Sequence, residues 1–150
     1  MVTFILQLFL TFAATVAFGV LFNVPKRALL VGGGIGVVTW AVLSISMMLG
    51  ASQVVATGLA SISAALNSHF FARRLKLPVT TLSIPGILPL VPGGRAYFTM
   101  LAFVEGDYLQ GLESGVETML IAGAIAGGLV VGLSIFTFGK GGGHRYESIH

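Results

Sequence analysis

Long uncharged apolar runs alternate with short clusters of charge along the chain. Residues 2–22 are apolar apart from Thr3, Gln7, Thr11 and Thr15, and a run of about 20 such residues suffices to cross a bilayer as a helix. Asn23-Val24-Pro25-Lys26-Arg27 follows, joining a helix-ending residue, a proline and two cations in a tight turn suited to a membrane face. A second run, 28–49, carries Gly32, Gly33, Gly34 and Gly36, which in lipid let neighbouring helices approach closely, and it places Trp40 near its middle as a packing residue. After an uncharged turn at 50–53, a third run at 54–71 sets Ala56, Ala60 and Ala64 on one stripe and ends at the cations Arg73, Arg74 and Lys76. The fourth run covers 79–104. The last, 118–138, sets Ala124, Gly128 and Gly132 on one stripe with Gly123 and Gly127 beside it. Between these two lie Glu105, Asp107, Glu113 and Glu117, every acid of the chain except Glu147. The pattern predicts an all-α integral membrane protein with one domain, 1–138, of about five transmembrane helices, followed by a short flexible tail, 139–150.

The fourth run departs from this regularity. Ile84-Pro85-Gly86-Ile87-Leu88-Pro89-Leu90-Val91-Pro92-Gly93-Gly94-Arg95 places three prolines and three glycines inside a membrane span. Each proline removes a backbone donor and restricts the residue before it, so no regular helix is expected from Leu82 to Arg95. Unwound backbone at membrane depth is tolerated only where protein or a water-filled cavity satisfies it. The stretch therefore reads either as a single crossing with an unwound centre or as a re-entrant loop.

Composition agrees with the membrane assignment: 55% of residues are hydrophobic and only 9% charged, against about 25% charged in an ordinary soluble domain. Cysteine is absent, which excludes disulfides and Cys-ligated metal sites, and no motif calls for a cofactor or metal. The formal charge of +3 comes from short clusters between apolar runs, without the aromatic-interleaved basic patch of a nucleic-acid binder, so no nucleic acid is expected as partner. The first run opens without a basic leader region and is as long as a bilayer span, so a retained helix is expected. Five crossings with the N-terminus outside place Lys26, Arg27, Arg73, Arg74, Lys76, Lys140 and Arg145 on the cytoplasmic side and leave Arg95 elsewhere, as the positive-inside tendency requires.

Candidate chemistry gathers around the interruption. The second half of a broken helix exposes unpaired N–H groups and a partial positive charge, which suits a carboxylate. The whole interruption, Pro85, Gly86, Pro89, Pro92, Gly93 and Gly94, is the candidate substrate-binding stretch, and Arg95 adds a planar fork able to pair bidentately with a carboxylate. The alternative is a packing kink with Arg95 reaching to the surface. Tyr97 and Thr99 can offer hydroxyls to a ligand or serve as an interface anchor and a helix residue. Glu113 and Glu117 share one helical face and are the proton-coupling candidates, or else belong to an acidic ramp in water. Asp107 suits a helix cap and Asn23 a helix end. Asn67, Ser68 and His69 form a polar group without a catalytic partner. Gly139-Lys140-Gly141 lacks the remainder of a phosphate loop.

Phe22-Asn23-Val24-Pro25-Lys26-Arg27, the stretch from Ile84-Pro85-Gly86 through Val91-Pro92-Gly93-Gly94 to Tyr97, and Glu105-Gly106-Asp107-Tyr108 resemble the threonine/serine exporter (ThrE) family. The likeness is to its small YjjB-like membrane component, the second half of the fused exporters. This resemblance implies secondary export of threonine and serine, or of succinate-like dicarboxylates, across the bacterial inner membrane. It also implies a larger YjjP-like membrane subunit, a homo-oligomer, or both. A non-transporting scaffold or regulatory subunit is the alternative, and a passive channel is a third. An intramembrane enzyme is the weakest, because no Ser/His, Cys/His or His/carboxylate constellation lies at suitable depth.

Overall fold

The computed structural model describes residues 2–138. The helices are α1 (Val2–Leu21), α2 (Lys26–Met48), α3 (Gln53–Leu75), α4 (Thr80–Ile87), α5 (Gly93–Glu105) and α6 (Tyr108–Phe138), with a 3-10 turn at Leu88–Leu90. No strand occurs among the described residues. The expected tail at 139–150, with Lys140 and Arg145, lies outside them.

The ends of the helices follow from local chemistry. Asn23 closes α1 with φ of 54°, a left-handed conformation that asparagine tolerates. Ser52 opens α3, its side chain accepting from the Val55 N–H at 3.4 Å. Gly106, with φ of 85°, ends α5, and Asp107 Oδ1 accepts from the Gln110 N–H at 3.1 Å to start α6. Asp107 thus takes the capping role expected of it.

Small residues set the packing. A Cβ on Gly33 would lie 2.7 Å from both Phe12 and Val16, and one on Gly36 would lie 2.5 Å from Thr15 Oγ1, so only glycine lets α1 and α2 meet here. Ala56, Ala60 and Ala64 are fully buried, as their stripe predicts. Ser61 Oγ donates to the Ala124 carbonyl at 3.3 Å. A Cβ on Gly128 would overlap Ser61 Oγ, and one on Gly132 would lie 2.6 Å from Ala65. Rising numbers on α3 therefore meet rising numbers on α6, and these two helices run parallel. Gly123 and Gly127 have nothing within 4 Å of a built Cβ and lie on the open side.

Two sequence expectations are corrected in detail. Pro85 does not interrupt the helix but lies inside α4, where it is buried and its Cγ sits 3.4 Å from a Cβ built on Gly32. Packing on α2 holds it there despite the lost donor. Pro89 falls in the 3-10 turn and Pro92 precedes α5, so the helix is broken only at Val91 and Pro92. The last helix starts at Tyr108 and not near residue 118, because the acidic segment is itself helical behind its Asp107 cap.

Helix direction favours a broken span over a re-entrant loop. Leu82 packs with Ala28 and Ala72, whereas Leu90 packs with Leu43, Ala56 and Ile121, so α4 and its 3-10 turn run parallel to α2. On α5, Arg95, Thr99 and Phe103 meet Glu117, Gly115 and Gly111 in that order. Hence α5 is antiparallel to α6. It continues in the sense of α4 after a bend of 53° and does not double back. Four helices are long and apolar enough to cross a membrane, or five if the bent pair is one span.

Candidate functional site

Arg95 sits in the first turn of α5, immediately past the break, and its side chain is held from two other helices. Its Nη2 donates to Gln53 Oε1 at the start of α3, and its Nη1 forms an ion pair with Glu117 Oε2 on α6. The side chains of Arg95 and Glu117 are 38% and 43% exposed, so the pair is not sealed inside the bundle. At that exposure screening keeps its contribution to stability at about 1 kcal/mol or below. The arrangement therefore matters more for what the guanidinium can exchange than for holding the fold.

The backbone beside it is partly open. Gly93 N–H donates to the Val91 carbonyl at 2.8 Å, and Ala96 N–H to the Pro92 carbonyl at 3.0 Å. The N–H groups of Gly94 and Arg95 belong to the first turn and have no acceptor among the described residues. A Cβ built on Gly93 or Gly94 meets nothing within 4 Å, which leaves room for a ligand to reach this backbone. Helix-end donors, a partial positive charge and a guanidinium thus coincide.

The other expected site residues separate. Pro85 and Gly86 are buried against α2; a Cβ on Gly86 would lie 2.7 Å from Ile35 Cγ2. They position the break without facing the Arg95 cluster. Pro89 lines a different pocket, of about 450 Å³, with Thr11, Thr15, Phe18, Trp40 and Val91. Thr99 Oγ1 donates to the Arg95 carbonyl at 2.9 Å, while its methyl faces Gly115 on α6. Tyr97 is 63% exposed and edge-on to Phe98, on the surface of α5. Glu113 and Glu117 lie one turn apart on α6; of the two, Glu117 pairs with Arg95, and Glu113 is exposed with no ion pair among the described residues.

Gln53 is the member that sequence reasoning misses, since it reads there as part of a turn. Its signal is an amide at the start of an apolar span, on the end away from the cations. The cluster also fixes depth. Gln53 begins α3, and Arg73 and Arg74 lie in its last turn, about 30 Å away at 1.5 Å per residue, close to a hydrocarbon thickness. Arg95 is therefore level with one end of the bundle and not with its middle. Lys26, Arg27, Arg73, Arg74 and Lys76 gather at the other end.

No group of three or more metal-binding side chains occurs among the described residues. No solved structure matches the chain. Residues 7–135 match the model of the family described as threonine/serine exporter, ThrE. With helices of membrane-spanning length on one side and this match across nearly all of its length on the other, the chain is a multi-pass membrane protein that belongs to the threonine/serine exporter ThrE family.

Proposed function

We propose that the chain is a subunit of a secondary exporter in the bacterial inner membrane, carrying small carboxylate-bearing metabolites, either threonine and serine or succinate-like dicarboxylates. Arg95 is the group that recognises the carboxylate. The observation that carries this reading is the position of Arg95: past the break, beside two open N–H groups, with its guanidinium occupied by an exchangeable partner, Glu117.

The geometry suggests how binding and release are linked. A substrate carboxylate and the Glu117 carboxylate compete for one guanidinium. A substrate that displaces Glu117 meets a guanidinium still held in place by Gln53. When Glu117 reclaims Arg95 the substrate is displaced. The positive-inside tendency supports a cytoplasmic basic end, with the N-terminus and the Arg95 cluster outside, where a release gate belongs.

Efflux of labelled threonine, serine and succinate from preloaded vesicles tests the assignment. Arg95→Ala is expected to abolish saturable efflux of one of these solutes, and Arg95→Lys, which keeps charge but loses the bidentate fork, to reduce it about ten-fold. Undiminished efflux by Arg95→Ala at normal abundance would overturn it. The scaffold alternative is favoured by one observation, the exposed apolar surface of α5 and the start of α6. It predicts that a partner binds substrate with full affinity when this chain is absent.

A further inference from the structure

Arg95 turns to α3 and α6, but the interruption that precedes it also borders α1 and α2. There Thr11, Thr15 and Phe18 of α1, Trp40 of α2, and Pro89 and Val91 line the pocket of about 450 Å³. It lies at mid-depth. Gly36, whose built Cβ would meet Thr15, and Trp40 stand about 15 and 21 Å along α2 from Lys26 at 1.5 Å per residue, in a hydrocarbon layer about 30 Å thick.

Two polar groups at this pocket have no partner. Thr15 is 1% exposed and Trp40 Nε1 is buried, yet neither Thr15 Oγ1 nor Trp40 Nε1 forms a hydrogen bond among the described residues. Thr39, the neighbour of Trp40, shows the ordinary solution, its Oγ1 donating to the Ile35 carbonyl at 2.8 Å. Buried polar groups are normally paired with protein, water or ligand. Acyl chains offer no acceptor, and the phosphate and ester oxygens of lipids stay at the membrane faces. An indole N–H only donates, so its partner must bring an acceptor to mid-depth.

The lining residues carry no charge, so an oxygen-bearing solute is held here by hydrogen bonds alone and less firmly than by Arg95. Weak retention suits a site that a solute must leave again. Val91 lines the pocket and Gly93 opens α5, so the break is the short way from one site to the other. We propose that this pocket is a resting site for the exported solute on its way to Arg95. Trp40 Nε1 and Thr15 Oγ1 donate to an oxygen of the solute, and its carbon skeleton lies against Phe18 and Pro89. The inference rests on the transport reading and adds to it a second, uncharged site.

Trp40 is the chain's single tryptophan, so its emission reports on this pocket. The purified full chain in lipid nanodiscs is titrated with threonine, serine and succinate in turn. One of them is expected to shift the emission saturably, in Arg95→Ala as well as in the wild type. Thr15→Val is expected to weaken that response about ten-fold, and Thr15→Ser, which keeps the hydroxyl, to retain it. Trp40→Phe, which keeps a ring and removes the donor, is expected to slow efflux of the same solute from preloaded vesicles. No shift with any of the three would mean that water or an acyl chain fills the pocket, and a shift lost in Arg95→Ala would mean that the emission follows the Arg95 site; either result overturns the proposal. Efflux left intact by both Thr15→Val and Trp40→Phe would overturn it and leave the transport reading standing. A saturable shift without any efflux would instead overturn the transport reading and leave a binding site here.

Discussion

Arg95 and Glu117 each stand out in the sequence as ionisable residues next to apolar spans, yet their chemistry depends on their being together. With Glu117→Gln the guanidinium loses its competitor but keeps Gln53. Substrate binding by this variant is expected to tighten, whereas Gln53→Ala should weaken binding a few-fold by freeing the arginine rotamer. Equilibrium binding measured on the two variants separates the outcomes. Glu113→Gln should do neither, because Glu113 is exposed and forms no ion pair among the described residues. The partnership was not legible in sequence because 42 residues separate Arg95 from Gln53, and no local rule links them. Asn23 and Asp107 were legible, since helix ends are decided by near neighbours.

At the scale of the element, the break and the glycine faces were visible in the sequence, but their division of labour was not. All three prolines look equivalent as helix breakers, whereas packing against Gly32 keeps Pro85 helical and leaves the break to Val91 and Pro92. Pro92→Ala is therefore expected to straighten the 53° bend and draw Arg95 away from Glu117, and Pro85→Ala to leave the bend unchanged. Distances between spin labels on α4 and α5 distinguish these outcomes. The glycines of α6 divide in the same way. Gly128→Ala forces Ser61 and the Gly58 carbonyl, 2.7 Å from the new Cβ, to move, and overpacking of this kind costs about 1–3 kcal/mol. Gly127→Ala meets nothing within 4 Å, so thermal unfolding in detergent should show a lowered midpoint for the first and an unchanged or raised one for the second. The length of α6 was not legible, because acids at its start resemble a loop until Asp107 is recognised as a cap.

Across the whole molecule, charge and bend give the bundle two unlike ends. One end gathers Lys26, Arg27, Arg73, Arg74 and Lys76; the other carries the Arg95 cluster and, beyond it, the acidic turn between α5 and α6. The all-α class and a bundle of four to five candidate spans followed from apolar run length alone, since a bilayer imposes one length on every crossing. The depth of the site did not follow, because it depends on which residue of α3 stands beside Arg95. The parallel pairing of α3 with α6 puts the Arg95–Glu117 ion pair at the end opposite the cations, which is the release side in the function proposed above. The most direct test of the Arg95–Glu117 exchange is the affinity of the intact chain, in its native membrane, for threonine, serine and succinate. The account predicts that affinity for the transported solute is higher in Glu117→Gln than in the wild type and is lost in Arg95→Ala. An affinity unchanged in Glu117→Gln, or indifferent to Arg95→Ala, would contradict it.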